Sequence, residues 1–411
     1  MATQIFTNIT SLVNVRNSTQ FLRGQELAVL PCVQEAYLVI EDNEIADFGS
    51  MENFKLQDKK VLKQEAGTMV LPAWCDSHTH LVFAASREDE FVDKIRGMSY
   101  AEIASKGGGI LNSAKRLNDT SEDVLFNEAW KRLEELSRLG TGAIEIKSGY
   151  GLSLDGELKM LRVIRKLKEK SNVTIKSTFL GAHAYPAEYQ QNHDGYIDLI
   201  INEMLPVIGE EKLADYVDVF CEQGFFSVKE METICNAAKK FDLKPKLHVN
   251  QLNSIGGVEA GIKLGALSLD HLETLNNNEI KMLGEFGGAA TLLPTAAFFL
   301  RMPYQPARDL INAGAAVTLA SDFNPGSSPS GNMNFVISLS CIQMKMLPEE
   351  AINAATYNGA CAMEIQNELG SIAIGKKANL IFTKQLPSLA YLPYSFGVNS
   401  IEKVMIKGSF T

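Results

Sequence analysis

The chain has no apolar run long enough to span a bilayer. Its most apolar stretch, GGAATLLPTAAFFL, is fourteen residues and carries a proline. The opening MATQIFTNIT contains no basic segment followed by an apolar core, so the sequence predicts a cytoplasmic protein. Its six cysteines (Cys32, Cys75, Cys221, Cys235, Cys341 and Cys361) form no C-x-x-C, which argues against a disulfide framework and predicts reduced, mostly buried thiols. Basic runs are absent, and 39 Lys+Arg against 49 Asp+Glu leave a net charge of −10, which disfavours nucleic acid or an anionic membrane and leaves a small molecule as the expected partner. There is no fixed-period repeat, no low-complexity tract and no GxS nucleophile elbow. KGGGI (106–110) is not followed by the Lys-Ser/Thr of a phosphate loop, so its glycines predict a lid.

What is present is an ordinary globular composition, 45% apolar and 21% charged over 411 residues. From Gly67 onward, eight short runs rich in β-branched residues alternate with longer amphipathic ones: TMVLPAWCDSH, GAIEIKSGY, VTIKSTFLGAH, YVDVFCE, KPKLHVNQ, ALSLDHLE, GAATLLPTA and AAVTLASDF. Between them lie helical segments such as SEDVLFNEAWKRLEELSRLG, with Ser121 to cap its start and Gly140 to end it. This pattern predicts a (β/α)8 TIM barrel over residues 67–370. The flanks, 1–66 and 371–411, alternate like antiparallel strands and predict one small composite β-sandwich domain built from both ends.

Reactive groups in such a barrel gather at the C-terminal ends of the strands. Of only six histidines, His78 and His80 end the first run, His183 the third and His271 the sixth, while His248 lies on the fifth. His193 falls in a helix or loop and reads as a surface residue. Two positions apart on a strand, His78 and His80 face the same way and can reach one cation. With His248 and with Asp322 at the end of the eighth run they make a ligand set suited to zinc or another borderline divalent ion, with room left for water.

The DSHTH, strand-five His, DHLE and SD elements, and the later GKKANLIF, resemble the metal-dependent amidohydrolase superfamily. Within it, FAASREDEF, KGGGI, EIKSGYGL, FLGAHA, VDVFCE and SDFNPGSSP together resemble the imidazolonepropionase family. The resemblance covers nearly the whole chain. It implies hydrolysis of 4-imidazolone-5-propanoate to N-formimidoyl-L-glutamate in histidine degradation, one zinc or iron held by His78, His80, His248 and Asp322, and a homodimer. It further implies substrate contacts at Arg87, Tyr150, His183, Gln251, Asn324, Gly326 and Ser327.

The residue chemistry agrees. His271, preceded by an acidic residue, is placed to carry a proton from water to the leaving nitrogen. His183 can hydrogen-bond the ring, Arg87 offers a planar fork to the carboxylate, and Tyr100 and Tyr150 add hydroxyl donors. Without the resemblance, Arg87, in REDE, reads first as part of a solvated salt-bridged face. The chief alternative is a mononuclear deaminase of a purine- or pyrimidine-like ring on the same barrel. Such an enzyme wants a carboxylate three residues after the strand-five histidine, where this chain has Gln251, an amide that cannot shuttle a proton. A dinuclear site would want a lysine near the end of the fourth run, where VDVFCE has none, and a non-catalytic scaffold has no reason to carry a full ligand set.

Overall fold

The structure, a computed structural model, describes residues 3–55, 61–98, 102 and 108–411. Sixteen strands, β1 to β16, form two sheets among these residues. Eight parallel strands run in simple sequence order: β6 (Trp74–Thr79), β7 (Thr141–Lys147), β8 (Thr174–Ala182), β9 (Tyr216–Cys221), β10 (Lys244–Val249), β11 (Ser268–His271), β12 (Ala289–Leu292) and β13 (Ala316–Leu319). Helices intervene, as in Glu122–Arg138, where the Ser121 hydroxyl accepts from Val124 N–H and Gly140 follows at φ 101°. The first and last strands meet through Thr79 and Phe323: His80 N–H donates to the Phe323 carbonyl at 2.9 Å and Asp322 N–H to the His78 carbonyl at 3.0 Å. Behind this seam Asp76 takes both the N–H and the hydroxyl of Ser321, at 3.0 and 2.6 Å. The sheet therefore closes into the expected barrel.

The second sheet joins both ends of the chain. Its order is β16 (Ser409–Phe410), β15 (Ile401–Ile406), β14 (Leu380–Thr383), β5 (Met69–Pro72), β1 (Thr3–Val13), β2 (Cys32–Glu41) and β3 (Glu44–Ser50), with β4 (Val61–Glu65) also paired to β1. It has a core of its own, in which Phe6 and Phe382 meet at 5.0 Å beside Ile9, Leu38, Val70 and Met405.

Two runs differ from their reading as single strands. TMVLPAWCDSH is divided: β5 belongs to the terminal sheet and only β6 to the barrel. Pro72 has no N–H for a ladder, Ala73 N–H still reaches the Asn379 carbonyl beside β14, and Trp74 N–H turns to the Gly140 carbonyl just before β7, so the pairing changes partner there. GAATLLPTA stops as a strand at Leu292 because Pro294 opens the helix Pro294–Leu300. His193 starts a helix, exposed and stacked on Tyr185 at 3.6 Å. Of the cysteines, none is paired, four are buried, Cys341 is partly buried and Cys32 is exposed. Lys106 and Gly107 of KGGGI lie outside the described residues. No helix among the described residues is long and apolar enough to cross a membrane.

The N-terminal arm is tied to the barrel in part by the buried amide of Asn358, alongside that of Asn353. Asn358 accepts from Leu22 N–H and donates to the carbonyls of Leu22 and Val317, each at 2.9 Å. Asn358→Ala orphans these three groups, at about 1–3 kcal/mol for each one left buried and unpaired. A clear fall in the denaturant midpoint is expected, and an unchanged midpoint would show that water replaces the amide.

Candidate active site

His78, His80, His248 and His271 converge at the C-terminal mouth of the barrel. His78 is central, its ring centroid 5.4 Å from that of His80, 4.5 Å from His248 and 5.7 Å from His271. Asp322 comes in from beyond β13 with its Oδ1 3.6 Å from His78 Nε2 and 3.5 Å from His80 Nε2. Two triads of potential ligand atoms, His78/His80/Asp322 and His78/His248/His271, each lie within 4.8 Å and share His78, making one compact centre. His78 Nε2 is buried and has no hydrogen-bond partner. A divalent cation fits this place: it would satisfy that nitrogen, and the donor set is imidazole plus carboxylate.

The imidazoles are oriented from beneath. His78 Nδ1 lies 2.6 Å from Asp270, and His248 Nδ1 lies 2.7 Å from Asp218, which also accepts His248 N–H. With Nδ1 donating to a carboxylate, the Nε2 lone pair is turned toward the centre. The carboxylates are fixed in turn by Lys147, whose ammonium is 2.8 Å from Glu145, 2.9 Å from Asp218 and 3.6 Å from Asp270, all fully buried. Lys246 pairs with Glu145 from the other side. Burial opposes the charge on Lys147, but the surrounding carboxylates outweigh it and raise its pKa. Burial and the neighbouring cationic or ring groups lower the pKa of His78, His80 and His248 well below the ordinary value, which keeps them in the neutral form that ligates. Burial raises Asp322 to about 7.

His271 has a different support. The acidic residue preceding it serves His78, whereas His271 Nδ1 meets Glu273 at 3.3 Å, and Gln305 donates to the same Glu273 oxygen at 2.9 Å. This contact depends on backbone in the left-handed region, with φ 84° at His271 and 64° at Leu272, which turns Glu273 back under the ring. Burial would lower the His271 pKa, and Glu273, Asp322 and Asp270 together more than offset it, so the net shift is upward.

Above the centre lies a cavity of about 370 Å³ lined by Arg87, Lys94, Tyr150, His183, Gln251, Asn324, Gly326 and Ser327, with Ile110, Phe220, Phe225, Leu252 and Leu300 as its apolar wall. His183 bridges cavity and centre, stacked on His80 at 5.3 Å. Its Nδ1 donates to the Gly149 carbonyl at 3.0 Å, and burial lowers its pKa to about 4. Gly149 is at φ 109°, and a Cβ there would stand 2.8 Å from His183 Nδ1, so glycine is required. The side chain of Gln251 makes no hydrogen bond among the described residues and faces the cavity. Asn324 is committed to its own loop: its Oδ1 takes the N–H groups of Gly326 and Ser327 at 2.8 Å each, while its Nδ2 donates to the Asp322 carbonyl and the Ser327 hydroxyl. Arg87 is both a cavity residue and a salt-bridged one, donating from Nε and Nη2 to Glu90. Tyr100 lies outside the described residues.

The amidohydrolase family model matches residues 69–411. The imidazolonepropionase of Flavobacterium johnsoniae is 58% identical over 98% of this chain and 98% of its own, and that of Christiangramia forsetii is 53% identical over 99% of each. The chain belongs to the amidohydrolase family, among its imidazolonepropionases. It is a metal-dependent hydrolase of C–N bonds. Among solved structures, the guanine deaminase of E. coli shares the fold, with TM-score 0.75 over 100% of this chain and 99% of its own at 13% identity.

Sequence reasoning names four candidate ligands, His271 and most cavity residues, and it misses Lys94, the apolar wall of the cavity, Glu273, Gln305 and the supports beneath the centre. A signal for the last was present. Glu145 and Lys147 in GAIEIK, Asp218 in YVDV, and Lys246 with His248 in KLH are polar groups at alternate positions in apolar strands, which places them inside a barrel. If the Nδ1 contacts set the ligand geometry, Asp270→Asn should weaken metal binding about 10–100-fold in a chelator competition while the fold persists. Unaltered affinity would show that His78 is held by other means.

Proposed function

We propose that the site opens 4-imidazolone-5-propanoate with water, breaking the cyclic amide C–N bond to give N-formimidoyl-L-glutamate, using one zinc or iron per chain. The observation that carries this reading is the convergence of three neutral imidazoles and Asp322 beneath a cavity that has a guanidinium at one side and a ring-facing histidine at its base. The names of the relatives support the same substrate.

A cation held by His78, His80, His248 and Asp322 supplies Lewis acidity and lowers the pKa of water. His271 takes the proton of the attacking water on Nε2, because Nδ1 is committed to Glu273, and returns it to the departing ring nitrogen. His183, with Nδ1–H on Gly149, presents Nε2 as an acceptor for a ring N–H. Burial raises the Tyr150 pKa, so its hydroxyl remains a donor. Gln251 contributes an amide for orientation and no proton transfer, which favours this reaction over deamination. Arg87 addresses the carboxylate with the part of its fork that Glu90 leaves free, and Asn324, Gly326 and Ser327 shape the wall opposite. The same reading has a homodimer working in the cytoplasm, where its unpaired cysteines stay reduced.

Incubation with the imidazolone should consume the ring chromophore, elemental analysis should find one metal equivalent, and chelation should abolish turnover. Full activity without metal, or only with two equivalents, would overturn the single-metal reading. His271→Ala should retain the metal and lose about 10²–10⁴-fold in kcat, the range for a positioned proton carrier. Loss of the metal in that variant would make His271 a ligand, and near-normal kcat would move the base elsewhere, first to His183.

A further inference from the structure

We infer that Lys94 is a second cation for the substrate's carboxylate and a specificity-determining residue of the cavity, an inference that rests on the function proposed above. Arg87 precedes the helix Glu88–Ile95 and Lys94 sits in its last turn. Seven positions apart, they lie on one face, and both line the cavity. Glu90, between them, is already engaged. One of its oxygens accepts Arg87 Nε at 2.9 Å as well as Nη2, and the other accepts Gly109 N–H at 3.0 Å.

The Arg87–Glu90 pair is close to neutral as a unit. It offers an anion directed hydrogen bonds but little net field. Arg87 is also confined on its other side, since a Cβ on Gly326 would stand 2.5 Å from Nη1. Lys94 is different. Among the described residues its ammonium has no carboxylate within ion-pair distance, and it lies over the face of Phe299 at 6.0 Å, a ring stacked on Phe91. It is half-buried, and burial together with Arg87 lowers its pKa against the smaller opposing pull of Glu90, so the ammonium is under-compensated where it stands. The cavity wall of Ile110, Phe220, Phe225, Leu252 and Leu300 is apolar, which lowers the local dielectric and strengthens any ion pair formed against it.

Summed over Arg87, Glu90 and Lys94, this side of the cavity carries one uncompensated positive charge, which matches a ligand with one carboxylate on a flexible chain. Arg87 then supplies direction and Lys94 supplies charge. An uncharged side chain of equal length would leave the ammonium unpaired, which is discrimination by a penalty on the wrong ligand.

The test uses the metal-loaded enzyme with 4-imidazolone-5-propanoate and with its side-chain amide, over a range of NaCl concentration. Wild-type turnover of the carboxylate substrate comes first, and its absence would overturn the proposed function and this inference together. With turnover established, Lys94→Met should lower the kcat/KM preference for carboxylate over amide by about tenfold or more, the loss expected for one charge-assisted contact. The change should fall mainly in KM and flatten its salt dependence, and Lys94→Arg should recover most of both. An unchanged preference, or equal loss for both substrates with unaltered salt dependence, would overturn the role of Lys94 while leaving the proposed function standing.

Discussion

Everything at the mouth of the barrel depends on one buried ammonium. Lys147 lies in the lumen among Glu145, Asp218 and Asp270, and none of these groups reaches solvent. Charges taken out of water cost several kcal/mol each, and they are tolerated only where the partners complete one another. Here Lys246, held also by the Ala362 carbonyl at 2.9 Å, and the Thr178 hydroxyl at 2.6 Å complete Glu145. The barrel thus uses its interior for orientation where an apolar core would have served stability equally well. Asp218 and Asp270 have one arrangement available, and through it His248 and His78 have one tautomer and one direction.

The second constraint is backbone conformation at the strand ends. Asn250 at φ 56°, His271 at 84°, Leu272 at 64° and Asp322 at 52° all occupy the left-handed region, which costs an ordinary residue about 1–2 kcal/mol. These positions coincide with the site. At Asp322 the turn carries the carboxylate across the seam to His78 and His80, and at His271 it brings Glu273 beneath the ring. Strain of this kind persists only where surrounding contacts over-determine it. The Asp76–Ser321 bonds and the closed hydrogen-bond set of Asn324 do so on one side, and the Gln305–Glu273 contact on the other. A cation binding the folded chain alone would add to its stability by mass action, so the site and the fold support one another.

Much of this was legible in the amino-acid order. The alternation of β-rich and amphipathic runs is a barrel because each parallel strand needs a crossover helix. His78 and His80 share a face because strands have a period of two. The absence of basic runs and of a carboxylate at Gln251 narrowed the chemistry. Residue identity decided these points, since each follows from local periodicity or from what a side chain can donate. What only the tertiary structure decided is partnership. Asp270 precedes His271 in sequence, yet it serves His78 on β6, while the left-handed turn at His271 and Leu272 brings Glu273 to His271. Arg87 kept two readings on sequence alone, and the fold gave it both, because Glu90 lies one turn away and the cavity lies beyond. Lys94 stood in no motif, and its charge acquires meaning from where the helix Glu88–Ile95 sets it, beside an ion pair already satisfied and against an apolar wall.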